Sequence, residues 1–131
     1  VSSPINMLPT NNRLTFDRDF RTLFAEGRFV GGTLVTAKVW RIDPTKYPRR
    51  AYTGETLRIA AVVPIKVSKS AVVRNRVKRQ IREVIRLLLK EDKLKTGYLA
   101  AIIAKPEILG KEYEEIQVEV SRVLKRAAVL I

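Results

Sequence analysis

Two long stretches of this chain carry apolar residues at the three-to-four-residue rhythm of a helix that buries one side. In AVVRNRVKRQIREVIRLLLK, Ala71 to Lys90, residues Val73, Val77, Ile81, Val84 and Leu88 fall within one arc, and Ser70 just ahead of them suits a helix cap. In KEYEEIQVEVSRVLKRAAVLI, Lys111 to Ile131, a second stripe runs through Tyr113, Ile116, Val120, Val123, Leu124 and Ala127. A shorter helix is predicted over DRDFRTLFAEG, with Asp17 as its cap, Phe20, Leu23 and Phe24 on one face, and Gly27 at its stop. The remaining apolar runs have strand character. TLVTAKVWRI (Thr33–Ile42) is rich in β-branched residues, TLRIAAVVP (Thr56–Pro64) reads as a buried strand stopped by Pro64, and GYLAAIIAKP (Gly97–Pro106) is nearly all apolar. Gly31-Gly32 signals a turn or bulge. Asp43 to Glu55, with two prolines and a glycine, reads as a loop long enough to project.

These elements imply an α/β (α+β) two-layer sandwich, a mixed sheet of about four strands with three helices, in the order αβββαβα. The strand–helix–strand unit from Thr56 to Ala104 places two strands parallel. A chain of 131 residues holds one domain, expected over residues 13–131, with residues 1–12 a flexible N-terminal segment. VSSPIN lacks the basic-then-apolar pattern of a signal peptide; Met7 is read as a native start, with Val1–Asn6 left over ahead of it. No apolar run approaches the ~20 residues that span a bilayer, so no membrane partner is expected. The absence of cysteine excludes a disulfide framework and fits a reducing, cytoplasmic setting.

Charge changes the picture. The chain has 26 Lys and Arg against 13 Asp and Glu, a net +13. Such an excess points to a polyanionic partner, nucleic acid before an anionic membrane surface. The segment Lys66–Lys90 alone holds nine of the cations and one acid, Glu83. On the helix, Arg74, Lys78, Arg82 and Arg86 run along one flank of the apolar arc, while Arg76, Arg79 and Lys90 lie further round with Asn75. Lys66 and Lys69 continue the charge into the preceding loop. An ordinary solvated face interleaves signs; this one does not. Its like-charge repulsion, a few tenths of a kcal/mol per close pair, is offset when a counter-charged ligand arrives. Arginine forks match phosphate oxygens and stack on bases. Asn75 is short, and a local bond to the backbone or the preceding loop suits it better than a phosphate; a sugar hydroxyl or base edge is the alternative.

Catalytic constellations are missing. Without histidine there is no imidazole acid–base pair, and no Cys/His metal set. The acids are scattered, where a two-metal nuclease needs converging carboxylates. Asp17 and Asp19 read as first-turn helix acids, and Glu114 and Glu115 as solvent-side residues. The protein itself is expected to need no cofactor. It reads as a binder, or as a subunit of an assembly whose chemistry lies elsewhere; a structural, ribosomal-type rRNA-binding protein has the same charge and size. A duplex DNA binder fits least, since no helix-turn-helix or dimerising heptad is present.

Three pieces, RLTFDRDFRTLFAEG, AVVRNRVKRQIRE and YLAAIIAKP, occur in the order and spacing of a known family. Over about Arg13 to Ala127 the sequence resembles the protein subunit of bacterial ribonuclease P, most specifically through its Arg-Asn-Arg signature. The resemblance implies a left-handed strand–helix–strand crossover and a partner RNA that performs the chemistry. The ribonucleoprotein would remove the 5′ leader of precursor tRNA with Mg2+ held in the holoenzyme, the protein acting as a monomer that strengthens metal and substrate binding. Arg74, Asn75, Arg76, Lys78, Arg79 and Arg82 would lie against RNA, and Phe20 and Phe24 would line a cleft for the unpaired leader. On the residues alone, core packing is the stronger reading of those two rings. The sequence departs from the family in the loop VPIKVSKS, where Pro64 and Ile65 replace polar positions and Ser68 stands about where glycine is expected. It also departs in VTAKV, which lacks a cleft aromatic.

Overall fold

A computed structural model describes residues 8–50 and 52–131. Helix α1 covers Asp17–Glu26, strands β1, β2 and β3 cover Arg28–Val30, Val35–Arg41 and Leu57–Val62, helix α2 covers Ala71–Lys90, β4 Tyr98–Ala104, and α3 Tyr113–Arg126. The order αβββαβα is the expected one. The four strands form one sheet in the order β1-β2-β4-β3. β2 runs antiparallel to β1 and β4, and β3 pairs in parallel with β4 through the α2 crossover.

Register divides the sheet into two unlike faces. Val39, Ala100 and Ile59 stand in one row across three strands, and that face lies under α2 and α3. Ile81, Ile85, Ile116, Val120, Val123 and Leu124 meet Val35, Ala37 and Ile102 there, all without exposed surface. Burial of each such side chain contributes about 1.5–3 kcal/mol. This is the two-layer sandwich. Ile85 joins the buried seam of α2, while Val73 and Leu88 are only half-buried. β4 reads as a continuous apolar run because it is central and covered on both faces.

The opposite face carries Leu23 of α1, Trp40, Tyr52, Leu99 and Ala101 as a second, smaller core. The Asp43–Glu55 loop does not project; it folds back onto this face. Trp40 makes edge contacts with Tyr47 and Tyr52 at centroid distances of 6.0 and 5.8 Å, and the Tyr52 hydroxyl donates to Asp19. Asp19 is fully buried, so it is more than a first-turn acid. Its second oxygen accepts from Arg58 Nη1 at 2.7 Å; a carboxylate taken out of water requires such partners.

Several local expectations are corrected. Asp17 does not cap α1: Phe16 holds the cap position with no side-chain acceptor, and Asp17 pairs instead with Arg21 at 2.8 Å in solvent. Gly27 ends α1 with φ at −73° rather than in the left-handed region. Glycine is needed there for close approach, since a Cβ would sit 2.3 Å from the Leu23 carbonyl oxygen. β3 is an edge strand with alternating burial rather than one buried on both sides. Its outer edge is covered by the N-terminal segment, where Leu14 N donates to Ile59 O at 3.3 Å and Asn12 Nδ2 to Leu57 O at 2.9 Å. Of the expected flexible segment, residues 1–7, with the Met7 start and Val1–Asn6, lie outside the described residues, while Leu8 is buried in the main core.

Candidate nucleic-acid interface

The loop into α2 is pinned from inside and charged outside. Val67 is buried and its N–H donates to Pro64 O at 3.0 Å, which leaves Lys66 and Lys69 exposed on either side. Ser70 Oγ accepts from Val73 N at 3.3 Å, the expected cap. Arg74 turns back and donates from Nη1 to Ser68 O at 2.8 Å, tying the loop to the first turn. That local bond was expected of Asn75, whose side chain is exposed and makes no hydrogen bond among the described residues. Arg76 and Arg79 face solvent beside it.

The first turn of α2 contains no acid, and Arg74, the fourth residue of the helix, lies near the positive end of its dipole. A cation at that end is unfavourable by about 0.3–1 kcal/mol, a cost that an arriving anion reverses. Among the described residues, Lys66, Lys69, Arg74, Arg76, Lys78, Arg79, Arg82 and Lys90 have no acid partner. Arg86 differs. It grips Glu83 with two bonds, Nε to Oε2 at 3.0 Å and Nη2 to Oε1 at 2.7 Å. The bond from Arg86 holds the Glu83 carboxyl below its ordinary range, and Glu83 in turn raises the guanidinium.

Lys78 and Arg82 are half-buried because they border a groove of about 430 Å³, lined also by Arg13, Leu14, Phe20 and Val62. The groove wraps the β3 edge and joins α2 to α1. Phe20 serves two purposes: it leans on the second core and borders the groove. Phe24 stacks on Phe20 with centroids 6.4 Å apart and planes 14° apart, yet it is 47% exposed and does not line that groove. Phe20 thus has the core contact expected from the residues alone and also borders a groove, while Phe24 is not a core residue.

One groove residue, Arg13, and two residues beyond it, Arg58 and Phe16, escaped the sequence reading. Arg13 lines the groove and donates Nε to Leu8 O at 2.8 Å. Arg58 is held by Asp19, and Phe16 stands 53% exposed at the start of α1. An aromatic beside charged residues in TFDRDF was the available signal, but the helix-start pattern absorbed it. Chemically, the assembled groups can fork onto phosphates and stack on bases. The buried acids serve structure, Asp19 under Arg58 and Glu119 under Thr33 and Leu34.

Fold and surface together define a basic α/β sandwich that sets a cationic helix beside a groove with an aromatic wall. A family model described as Ribonuclease P matches residues 8–128. The ribonuclease P protein component of Synechococcus sp. (strain JA-2-3B'a(2-13)) is 35% identical over 125 residues, covering 95% of this chain and 88% of its own length. That of Pseudanabaena sp. (strain PCC 6903) is 36% identical over 124 residues, covering 95% and 97%. The chain belongs to the ribonuclease P protein family. In fold it is similar to the Staphylococcus aureus RNase P protein, with a TM-score of 0.73 at 22% identity over 92% of this chain and 98% of that one. The Thermotoga maritima RNase P protein, in complex with 1-(4-fluorophenyl)-2-thiourea, gives 0.68 at 21% identity, over 87% and 98%.

Proposed function

We propose that this protein is the RNA-binding subunit of a cytoplasmic ribonuclease P that removes the 5′ leader of precursor tRNA. The RNA partner supplies the chemistry; one copy of the protein binds that RNA through α2 and holds the unpaired leader in the groove beside Phe20. The carrying observation is the set of eight cations on α2 and its entry loop with no acid partner among the described residues, two of which border the groove. Counter-ion release from such a surface gives affinity for any phosphate backbone. The groove adds preference for single strands, because an aromatic wall with basic edges suits unpaired bases.

Magnesium fits the RNA better than this chain. Among the described residues no group of three or more acids gathers where one ion could be held. In this reading the protein's cations lower the repulsion between leader and RNA, and so strengthen substrate and ion binding there.

The test is reconstitution with a bacterial ribonuclease P RNA and precursor tRNA, at magnesium too low for the RNA alone. Cleavage at the mature 5′ end that requires both components supports the proposal. Tight RNA binding with no activation would favour a structural rRNA-binding role, and cleavage without the added RNA would place the chemistry in the protein.

A further inference from the structure

Phe16 lies outside the groove beside Phe20, and two guanidinium groups converge on its ring. The Arg18 carbon stands 5.1 Å from the ring centroid and that of Arg58 5.6 Å. Arg58 is not free to leave. Its Nη1 is fixed on the buried Asp19 carboxylate at 2.7 Å, and it also lies 5.8 Å from the Tyr52 ring. Arg18 is exposed and has no acid partner among the described residues. Of the two cations on the ring, one is thus anchored and the other is exposed and unpaired among the described residues. Guanidinium–aromatic pairs of this kind are stacking platforms for nucleobases.

The platform borders a second hollow of about 440 Å³, lined by Asn11, Asn12, Arg13, Phe16 and Arg58, with one acid, Glu55, on its rim. Arg13 and Thr15 line both this hollow and the groove beside Phe20. The two are therefore neighbours across the N-terminal segment, with Arg13 and Thr15 between them. One end of the pair lies at Lys78 and Arg82 of α2, and the other at Phe16.

We propose that Phe16, with Arg18 and Arg58, is a further nucleotide subsite that stacks one base of single-stranded RNA beyond the groove, at the end remote from α2. Arg13, at the junction, meets the phosphate between the two subsites. This rests on the leader-binding reading above and extends it: the bound leader is longer than the Phe20 groove alone would hold.

The experiment uses the reconstituted holoenzyme and precursor tRNAs whose leaders are shortened one nucleotide at a time. Phe16→Ala is expected to weaken binding by about five- to a hundredfold, the range for one lost base stack, but only above a threshold leader length. Phe16→Trp restores it, and an abasic nucleotide at the threshold position removes the difference between wild type and Phe16→Ala. Phe20→Leu, which keeps the core filled, weakens short and long leaders alike. Equal loss at every length for Phe16→Ala, or none at any length, overturns the subsite while an impaired Phe20→Leu leaves the groove standing. If Phe20→Leu binds every leader as wild type does, the leader-binding reading fails, and the subsite with it.

Discussion

α2 and α3 lie side by side on the same face of the sheet and bury seams of the same kind, but their outer faces are unlike. α3 follows the rules for a stable solvated helix. The Glu115 side chain reaches back to accept from the Glu112 N–H, acids occupy the first turn, and Lys125 and Arg126 the last. α2 breaks those rules, with cations from its first turn onward and a single acid. Both helices are held by the same force, burial of a narrow apolar stripe, and that leaves the opposite face free to be selected for something else. On α3 it serves the helix itself. On α2 it opposes the helix, which makes sense only if an anion completes it.

The largest effects should be shared. Ile81→Ala and Ile116→Ala each remove a fully buried side chain and should each cost about 2–5 kcal/mol of folding stability, read by urea denaturation. A much smaller loss for Ile81 would break the equivalence, and would mean that α2 is held by something other than its seam.

RNA binding should separate the pair. Replacing Arg76 and Arg79 with alanine should weaken binding to the RNA partner by roughly tenfold or more per residue, at unchanged helical content. Replacing Lys125 and Arg126 should leave binding near wild type. If about six phosphates are met, affinity should fall with salt at a log–log slope of roughly −4 to −5, and each lost cation should flatten the slope by about one. A flat response to salt in the wild-type protein would sink the basic-face reading.

The seams, the three longer strands and the charge asymmetry were legible in the sequence because each is a periodic or additive property of neighbouring residues, whereas the short β1 was not singled out. The Ser70 cap was legible for the same reason. What was hidden depended on residues far apart in the chain. Asp19 reads as an ordinary first-turn acid until Arg58 and Tyr52 arrive from β3 and the loop. The loop reads as projecting until Trp40 offers Tyr47 and Tyr52 a surface. Arg86 reads as one more free cation, although Glu83, three residues earlier, already holds it. The groove itself is formed where an N-terminal segment, a strand edge and two helices meet, and no local pattern encodes such a meeting.

The caps sharpen the contrast on a smaller scale. Ser70→Ala removes the one side-chain acceptor at an N-terminus already burdened with cations, and should cost about 0.5–2 kcal/mol. Glu115→Ala in α3 should cost a comparable amount through the lost bond to the Glu112 N–H at 2.9 Å. With RNA bound, the Ser70→Ala loss should shrink, since phosphates can take over the exposed N–H groups, while the Glu115→Ala loss should not.

The smallest effect is on acid stability, and it distinguishes the helices by an acid in each, Glu119 buried on α3 and Glu83 half-buried on α2. Burial pushes the Glu119 carboxyl of α3 up, but donation from Leu34 N at 2.6 Å, from Thr33 Oγ1 at 2.9 Å and from Arg122 outweighs it and holds the group below its ordinary value. Glu83 of α2 is lowered chiefly by its bond from Arg86, against burial. A lowered native pKa means that the unfolded chain binds the proton first. The contribution is therefore complete above the ordinary glutamate range and is lost as pH falls through that range to the depressed native value. Glu119→Gln should flatten the acid limb of the stability profile more than Glu83→Gln. The Glu119 side chain is 4% exposed and joins α3 to the β1–β2 turn, whereas that of Glu83 is 26% exposed and pairs within its own helix. Equal flattening, measured by thermal melts from neutral to acid pH, would mean that the pair on α2 contributes to the fold as much as the acid on α3, and that its outer face is less purely a docking surface than its charge suggests.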